Sequence, residues 1–375
     1  MAVGVCESIR NKDLELIVGN SNPNFSGITS TMLQMLPFQQ QVMKVKVMGK
    51  HHLTNPADYI SFWQVAKICR QPLANGKARI FHARRVDEMI QALILKHLFG
   101  AKFKIVFSSA AQRYRSKTTL WLTRKMDAVI SMSKASSAYL EKPPATIIYH
   151  GVNTERYSPV ADRKSAWQAL NLINNHSIAN NESETSPVRP TKYGIGILGR
   201  VREQKGVHFF VEACISLLHQ YPDYTAVVVG AISTNHQHFA QQLKDKVAKA
   251  GLSDRIIFTG EKDFSELPEI FSALSLVTAL SDNEGFGLTV LEAMSSGAAV
   301  LATEAGAWPE VIRENIDGNV VPVNDFNAIK NKLEQLISDP ERLTKMGQSG
   351  RERILSDYSV EAEAKALCDF FKKMQ

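Results

Sequence analysis

The chain has 375 residues, of which 44% are apolar and 22% are charged, and its formal net charge is +7. This composition is ordinary for a globular protein of about two domains, and it excludes a disordered, collagen-like or coiled-coil chain. Because no run of about 18 apolar residues is present, we expect no membrane-spanning helix.

The charge is unevenly distributed along the chain. Residues 1–150 contain 21 Lys and Arg against 8 Asp and Glu, which gives +13, whereas the remainder contains 23 against 29, which gives −6. A basic half joined to an acidic half indicates that the basic half faces an anionic partner. Nucleic acid, an anionic membrane surface and a phosphorylated substrate all fit this pattern, as does a scattered solvated surface.

Two features of the sequence favour a cytoplasmic protein. The four cysteines lie far apart and form no CxxC pair, so we expect reduced thiols and neither a disulfide framework nor a zinc site. Residues 1–10 have no basic start followed by an apolar stretch, so we expect no secretory signal.

Short apolar runs typical of strands alternate with helical patterns along most of the chain. The first half contains five predicted strands: Leu14–Gly19, Ala78–His82, Phe103–Phe107, Asp127–Ser131 and Thr146–Tyr149. Val86–Phe99, which lies between them, has helical spacing. Residues 171–192 are rich in Asn, Ser and Pro, and we interpret them as a surface linker or insertion.

The same alternation resumes after residue 192. The predicted strands are Gly194–Leu198, Tyr224–Gly230, Arg255–Phe258, Leu274–Thr278, Ala298–Thr303 and Asn319–Pro322. The predicted helices are Val207–Gln220, Gln237–Ala250, Ser265–Phe271, Leu288–Ser296 and Ala328–Ser338. This pattern predicts an α/β protein with two doubly wound, Rossmann-like domains, in which ligands bind at the carboxyl ends of the strands.

The composition shifts suggest four parts of the chain. We place an N-terminal domain at residues 1–160, a linker or insertion at 161–192 and a C-terminal domain at 193–355. A C-terminal helix at 356–375 is expected to pack back on the N-terminal domain. The cleft between two such domains is the expected ligand site.

Residues 199–206 (GRVREQKG) follow a predicted strand and precede a predicted helix. Arg200 and Lys205 flank this loop, and with the free N–H groups of the helix they would clamp a diphosphate. A solvated basic loop is the alternative. The preceding Gly194–Gly199 (GIGILG) has the glycine spacing of a dinucleotide fingerprint, but its glycines lie within the strand, so we do not expect NAD.

Residues 281–294 (SDNEGFGLTVLEAM) carry a second set of polar groups. Glu284 precedes a Gly-x-Gly loop, and Glu292 lies about two helical turns further on, on the helix that the loop opens. Gly285 and Gly287 allow a ligand to approach the backbone closely. Carboxylates accept pairs of hydrogen bonds from hydroxyl groups, so the two glutamates suit a polyol such as ribose or hexose. Either glutamate alone would be an ordinary acid at a helix start.

Together, these motifs relate the second half of the chain to a known protein family. It resembles the C-terminal domain of family 4 glycosyltransferases, a retaining family with the GT-B fold of two Rossmann-like domains facing across a cleft. The matching stretches, in the family's order, are Gly199–Gly206, Ile257–Gly260, Glu284–Met294, Gly297–Val300 and Glu310–Ile312. The segment from Ile147 to Pro159 resembles the family's passage out of the first domain.

The first half narrows the resemblance. Phe81–Arg85 (FHARR), Val106–Arg113 (VFSSAAQR) and Ser26–Thr31 (SGITST) resemble the mannosyltransferases of the bacterial lipopolysaccharide inner core. This implies transfer of mannose from GDP-mannose to a Kdo-containing lipid A acceptor on the cytoplasmic face of the inner membrane. No separate cofactor is implied, and because we find no DxD pair, we expect no metal.

The resemblance also assigns roles to residues of this chain. The donor site it implies comprises Gly27, Arg200, Lys205, Gly260, Glu261, Glu284, Phe286, Gly287, Leu288 and Glu292. Arg200 and Lys205 would bind the diphosphate, Glu292 the ribose, and Glu284 with the neighbouring backbone the hexose. The segment at Gly260–Lys262 would meet the base, and Gly27 would lie beside the phosphates.

One position departs from the family pattern. Many relatives have a His after the fourth strand of the first domain that touches the donor sugar, whereas this chain has Ser109 there. His82 ends an earlier predicted strand and is a candidate substitute, with a structural role as the equal alternative. Glu310 is a candidate support of the sugar site, and we interpret Trp308 as packing.

Gln112–Met126 is a basic segment with aromatic residues. It has five basic residues and no acid: Arg113, Arg115, Lys117, Arg124 and Lys125. Together with Tyr114 and Trp121 these favour contact with anionic lipid, hence a peripheral membrane protein that binds a glycolipid acceptor and no nucleic acid. Nucleic-acid binding, or a helix with a solvated basic edge, is the alternative.

Three functions remain open on the sequence alone. The first is the mannosyltransferase just described, or a glycosyltransferase that uses a UDP-sugar on another glycan or glycolipid. The second is a nucleotide-sugar epimerase or a phosphorylase on the same fold. The third is a non-enzymatic module that binds an anionic membrane or nucleic acid, which would leave the paired glutamates without a role.

Overall fold

The computed structural model describes residues 13–24, 26–170 and 191–375. Two compact units are present: the first comprises the residues up to Gly151 together with Ser359–Gln375, and the second comprises Val152–Tyr358. The predictions made for residues 1–10, Cys6 and most of the linker at 171–192 lie outside the described residues.

The second unit begins earlier than the predicted boundary at residue 160. The Val152 N–H donates to the Tyr358 carbonyl at 2.9 Å, and Arg351 Nη1 donates to the carbonyls of Thr154 and Tyr157 at 3.0 and 2.9 Å. These bonds attach residues 152–157 to the second unit. Residues 163–169 also belong to that unit as a helix, with Trp167 buried, so they are not part of a linker.

The first unit is built on a seven-stranded parallel sheet of order β3-β2-β1-β4-β5-β6-β7. The strands are β1 (Leu16–Gly19), β2 (Val45–Met48), β3 (Tyr59–Ile60), β4 (Arg79–Ala83), β5 (Phe103–Ser109), β6 (Ala128–Ser131) and β7 (Thr146–Ile147). The helices are α1 (Gly27–Val42), α2 (Phe62–Ile68), α3 (Val86–His97), α4 (Lys117–Thr123) and α5 (Lys134–Ser137). Strands β1 and β4 are buried along their whole length, as expected for a sheet covered on both faces.

The second unit is built on a six-stranded parallel sheet of order β10-β9-β8-β11-β12-β13. The strands are β8 (Tyr193–Leu198), β9 (Tyr224–Val229), β10 (Ile256–Gly260), β11 (Leu274–Ala279), β12 (Ala299–Thr303) and β13 (Gly318–Val321). The helices are α6 (Arg163–Ala169), α7 (Val207–Leu217), α8 (Gln237–Lys249), α9 (Leu267–Ala273), α10 (Leu288–Ser295), α11 (Trp308–Val311), α12 (Phe326–Ile337) and α13 (Pro340–Asp357).

The last helix, α14 (Val360–Met374), returns to the first unit and packs against α1. Ser359 caps its N-terminus by accepting from the Ala362 N–H at 3.1 Å. The Glu363 carboxylate accepts from the Gly151 N–H at 2.8 Å and lies 2.7 Å from His150 Nδ1. These bonds join the two segments of the first unit near Gly151, where the chain leaves that unit, and Ser359, where it returns.

Each sheet has one point at which the strand order reverses. In the first sheet it lies between β1 and β4, and in the second it lies between β8 and β11. Ligands of open α/β sheets bind outside the carboxyl ends of the strands at such a point. In the second unit, the expected ligand site is therefore formed by the loops after β8 and β11. Within the described residues, no helix is long and apolar enough to cross a membrane.

Candidate active site

The two loops at the switch point of the second unit are joined by hydrogen bonds. The Asp282 N–H donates to the Gln204 carbonyl at 3.0 Å, and Gln204 Nε2 donates to the Asn283 carbonyl at 3.2 Å. Lys205 Nζ pairs with Glu284 Oε1 across the same gap. Because β8 and β11 are neighbours, the motifs at residues 199–206 and 281–294 form one site.

A glycine permits the close approach of these loops. Gly206 has φ +69°, and a Cβ placed there would lie 2.2 Å from the Leu280 carbonyl oxygen. Any larger residue would therefore push the β11 loop away from the loop that carries Lys205. Gly206 also precedes the first turn of α7, so the N–H groups of that turn face the same side as the loop.

The cations of the first loop have different surroundings. Arg200 is exposed and makes no ion pair with any described residue. Lys205 is partly buried beside Glu284, which also accepts from Ser281 Oγ at 2.8 Å. Arg200 is therefore free to meet an anion, whereas Lys205 is neutralised by a carboxylate until an anion competes for it.

The Gly-x-Gly loop is fixed by the turn that follows β12. Trp308 Nε1 donates to the Gly287 carbonyl at 2.9 Å, and the Ala307 N–H donates to the Phe286 carbonyl at 3.1 Å. Gly287 has φ +87°, and a Cβ there would lie 2.2 Å from Trp308 Nε1. The interpretation of Trp308 as packing is thus incomplete, because its indole also sets the position of the loop that opens α10.

Glu292 lies on α10 below this loop. Burial raises its pKa to about 7, whereas the Tyr157 hydroxyl and the Arg156 guanidinium beside it lower it. Tyr157 is fully buried, and burial and the Glu292 carboxylate raise the pKa of its phenol. Arg156 lies over the Phe264 ring, 3.9 Å from its centroid, and donates to the Phe264 carbonyl at 2.6 Å.

Arg156 and Tyr157 have no role in the sequence-based site, although the Tyr157–Pro159 segment formed part of the resemblance. Their placement depends on Arg351 and Ser295, both of which donate to the Tyr157 carbonyl. These contacts between distant segments, together with the packing of Tyr157 on Phe271, place the phenol near Glu292. Sequence spacing carries no signal for it.

The candidate base-binding segment lies at the end of β10. Gly260 has φ +74°, and a Cβ there would meet nothing within 4 Å. Glu261 is exposed, and Lys262 Nζ lies 3.4 Å from Glu266. The segment emerges from the same edge of the sheet as the loops after β8 and β11, two strands away from β8.

In the first unit, the structure places His82 in the interior. Its side chain is 1% exposed, its Nε2 lies 2.8 Å from Ser108 Oγ, and its ring lies 5.0 Å from that of Phe371. Burial and the nearby Arg84 hold its pKa well below the usual value. A ring buried in this way against α14 favours the structural role of His82 over a sugar contact. Ser109, the other position considered, is also buried.

Gly27 begins α1 directly after its cap, Ser26, at the carboxyl end of β1. A Cβ at Gly27 would meet nothing within 4 Å. Arg85 Nη2 donates to Ser26 Oγ and Thr29 Oγ1 at 3.0 and 2.9 Å, and Arg85 also pairs with the buried Glu88. The start of α1 thus lies beside a fixed guanidinium at the switch point of the first sheet.

The fold and this arrangement of loops are those of a GT-B glycosyltransferase. A family model described as "Glycosyl transferases group 1" matches residues 179–353. The lipopolysaccharide core biosynthesis mannosyltransferase LpsB of Rhizobium meliloti is 36% identical over 366 residues, which is 97% of this chain and 98% of that protein. The mannosyltransferase LpcC of Rhizobium leguminosarum bv. viciae, named for the same biosynthesis, is 37% identical over 360 residues, 95% of each chain.

Among solved structures, Anabaena Alr3699/HepE in complex with UDP superposes with a TM-score of 0.76, over 96% of this chain and 100% of that chain, at 18% identity. That likeness concerns the fold. The chain belongs to the group 1 glycosyl transferases, and it is a glycosyltransferase.

Proposed function

We propose that this protein transfers mannose from GDP-mannose to a Kdo-containing lipid A acceptor of the lipopolysaccharide core, with retention at the anomeric carbon. The observation that carries the donor half is the Lys205–Glu284 pair at the switch point, with Arg200 free beside it and Glu292 below. The names of the two relatives that match nearly the whole chain support mannose and the lipopolysaccharide core.

The transfer reaction requires the protein to stabilise a departing diphosphate. Transfer breaks the bond between the sugar C1 and the β-phosphate oxygen and forms a bond from C1 to an acceptor hydroxyl on the same face. The developing charge of the leaving group would be held by Arg200, by Lys205 and by the helix N-terminus after Gly206. The leaving phosphate would accept the proton of the acceptor hydroxyl, so no protein nucleophile is needed.

Donor binding would also change the partners of Lys205 and Glu284, which pair with each other in the free protein. When the diphosphate approaches, Lys205 gains an anionic partner and Glu284 becomes available to accept hydrogen bonds from the hexose hydroxyls. Glu292 would accept from the ribose hydroxyls, and Gly260–Lys262 would border the base. The acceptor would bind to the basic first unit on the cytoplasmic face of the inner membrane.

A direct assay tests this function. Purified protein is incubated with GDP-mannose, GDP-glucose, UDP-glucose or UDP-galactose and a Kdo-containing lipid A acceptor, and the product is followed by mass spectrometry. We expect transfer from GDP-mannose alone, and an α-linked product by NMR. Transfer from a UDP-sugar would contradict the donor, and release of free sugar without product in all cases would contradict the acceptor.

The raised pKa of Glu292 predicts a pH dependence of nucleotide binding. Below pH 7 the carboxyl is protonated and accepts poorly from the ribose diol, whereas above pH 7 the carboxylate accepts from both hydroxyls, so GDP should bind more tightly as pH rises through about 7. Calorimetric titrations of GDP at several pH values measure this. Glu292→Gln should flatten the profile while leaving the ionisation of the GDP phosphate in place. An identical pH profile for the variant would contradict the ribose role.

Removal of the Trp308 hydrogen bond should weaken turnover without unfolding the protein. Trp308→Phe keeps the ring packing but leaves the Gly287 carbonyl without its donor, which should cost about 1–1.5 kcal/mol, or roughly tenfold in kcat/KM. Trp167→Phe is a matched control, because Trp167 Nε1 bonds Thr191 Oγ1 away from the site. Equal losses of activity in both variants would show that the effect is structural.

A further inference from the structure

Helix α3 of the first unit carries an aliphatic stripe on its exposed face, on which Asp87 and His97 are also exposed, in addition to its apolar buried face. Val86, Ile90, Ile94 and Leu98, at intervals of four residues, are 37%, 41%, 40% and 75% exposed. Residues spaced by four share one side of a helix. The opposite side carries Met89, Ala92 and Leu95 in the core. A surface helix ordinarily presents charged residues to water. This exposed aliphatic stripe therefore indicates contact with an apolar partner.

Aromatic and cationic residues of α2 lie at the C-terminal end of the stripe. Trp63 is 68% exposed, and its ring meets that of Phe99, just after α3, edge to face at 5.4 Å. Lys67 and Arg70, four and seven residues after Trp63, are also exposed, and Arg70 Nε donates to the Phe99 carbonyl at 3.2 Å. A tryptophan and two cations thus flank the aliphatic stripe.

Helix α4, which packs beside α3, adds a second exposed tryptophan. Trp121 is 54% exposed, and Lys125 Nζ lies 5.8 Å from the centroid of its ring. Two of the five cations of the predicted basic segment at residues 112–126 already have partners within the protein. Arg124 pairs with Glu141, and Arg115 is half-buried over Phe107 and donates to Ser109 Oγ.

The charge around the stripe is strongly positive. Residues 62–126, all of which the structure describes, contain 14 Lys and Arg against 2 Asp and Glu, a net charge of +12; of these cations Arg79 and Arg84 are buried, and Lys96 of α3 pairs with Asp127 just after the segment. Glu88 is buried and paired with Arg85, so Asp87 is the acidic side chain of this segment that is exposed. A partner for this surface must therefore be both anionic and apolar.

We infer that this surface docks onto an anionic lipid bilayer. The α3 face, defined as Val86, Ile90, Ile94, Leu98, Trp63 and Trp121, would enter the boundary between headgroups and acyl chains, and the flanking cations would contact lipid phosphates. A second copy of the chain fits less well, because it would bring a like-charged segment against this one. The inference rests on the proposed function in one respect, namely that the acceptor is a membrane lipid.

Vesicle co-sedimentation of the full chain tests the inference. The vesicles contain phosphatidylglycerol and phosphatidylcholine in equal amounts, or phosphatidylcholine alone. The test variant is Ile90→Ser/Ile94→Ser/Leu98→Ser. The matched control, Ile316→Ser/Val323→Ser/Leu355→Ser, removes three aliphatic side chains of 50%, 37% and 50% exposure from the second unit. The thermal midpoint and GDP affinity of each variant are measured in parallel.

We expect the wild type and the control to bind the anionic vesicles and the test variant to bind at least about tenfold more weakly, with GDP affinity unchanged. Binding should be weaker to phosphatidylcholine alone and weaker at high salt. Equal binding of wild type and test variant overturns the inference, as does an absence of wild-type binding. Sedimentation velocity that shows a dimer of the wild type and a monomer of the test variant, with vesicle binding unaltered, overturns it in favour of a second copy.

The outcome is separable from that of the proposed function. If no sugar is transferred but the test variant alone loses vesicle binding, membrane docking by the α3 face is supported and the proposed activity is contradicted. If the wild type, the test variant and the control all mannosylate a detergent-solubilised acceptor equally and all bind vesicles alike, the proposed activity is supported and membrane docking by the α3 face is contradicted. RNA binding at matched ionic strength that is as tight as vesicle binding would also overturn the inference.

Discussion

Lys205→Ala should lower kcat/KM by about 10²-fold or more, and by more than Arg200→Ala does. Loss of one preorganised charge partner of a leaving group typically costs about 3–4 kcal/mol. Lys205 has a second task, because it neutralises Glu284 in the same loop pair. Its removal would leave that carboxylate unpaired beside the incoming diphosphate, which adds repulsion to the loss of attraction.

A double-mutant cycle separates these two effects. Removing Glu284 in the Lys205→Ala background should restore part of the GDP affinity, measured by calorimetry, because the unpaired carboxylate is gone. Lys192→Ala is the matched control, since Lys192 pairs with Asp223 near the start of β8, at the other end of that strand. Near-normal turnover by folded Arg200→Ala/Lys205→Ala would contradict the assignment of the diphosphate site.

The candidate site in the second unit was predictable because its signals are local. Gly206 and Gly287 stand where the backbone has positive φ, and charged residues stand directly after buried strands. A parallel sheet then brings the ends of its strands to one edge, whatever their separation in the sequence. The two doubly wound α/β domains followed from the same alternation of strands and helices, whereas the GT-B fold was implied by the family resemblance.

The elements that sequence reasoning missed are those stabilised by distant contacts. Strands β2 and β3 have four and two residues and lie at one edge of the first sheet, so their apolar signal is weak. Helix α1 contains Pro37 and a mixture of apolar and polar residues, and it is held by its Ser26 cap and by packing on α14. No local pattern reports that packing.

His82 illustrates the same limit at a single residue. A histidine near the end of a buried strand has the right sequence position for a sugar contact. Its burial, however, is set by Phe371 on a helix at the other end of the chain. Glu292 is the converse case: its position was predicted, but its raised pKa comes from its burial near Tyr157, which only the folded structure specifies.

Glu284→Ala should lower kcat by about 10²-fold or more while leaving GDP affinity unchanged or slightly tighter. The reason is that, in the proposed donor site, its carboxylate would face the hexose, where the transition state forms, and would contribute nothing favourable to binding of the diphosphate. In the free protein Glu284 occupies Lys205 and accepts from Ser281, so its loss releases the lysine for phosphate. Glu284→Gln keeps the size of the side chain and part of its hydrogen bonding, so its kcat should lie between those of the wild type and Glu284→Ala.

Glu212→Ala, which breaks the Lys246–Glu212 pair on α7 and α8, is the control for loss of a surface ion pair. Steady-state kinetics with GDP titrations distinguish the outcomes: a parallel fall in kcat and GDP affinity would move Glu284 to the nucleotide, and an unaltered kcat would remove it from the reaction.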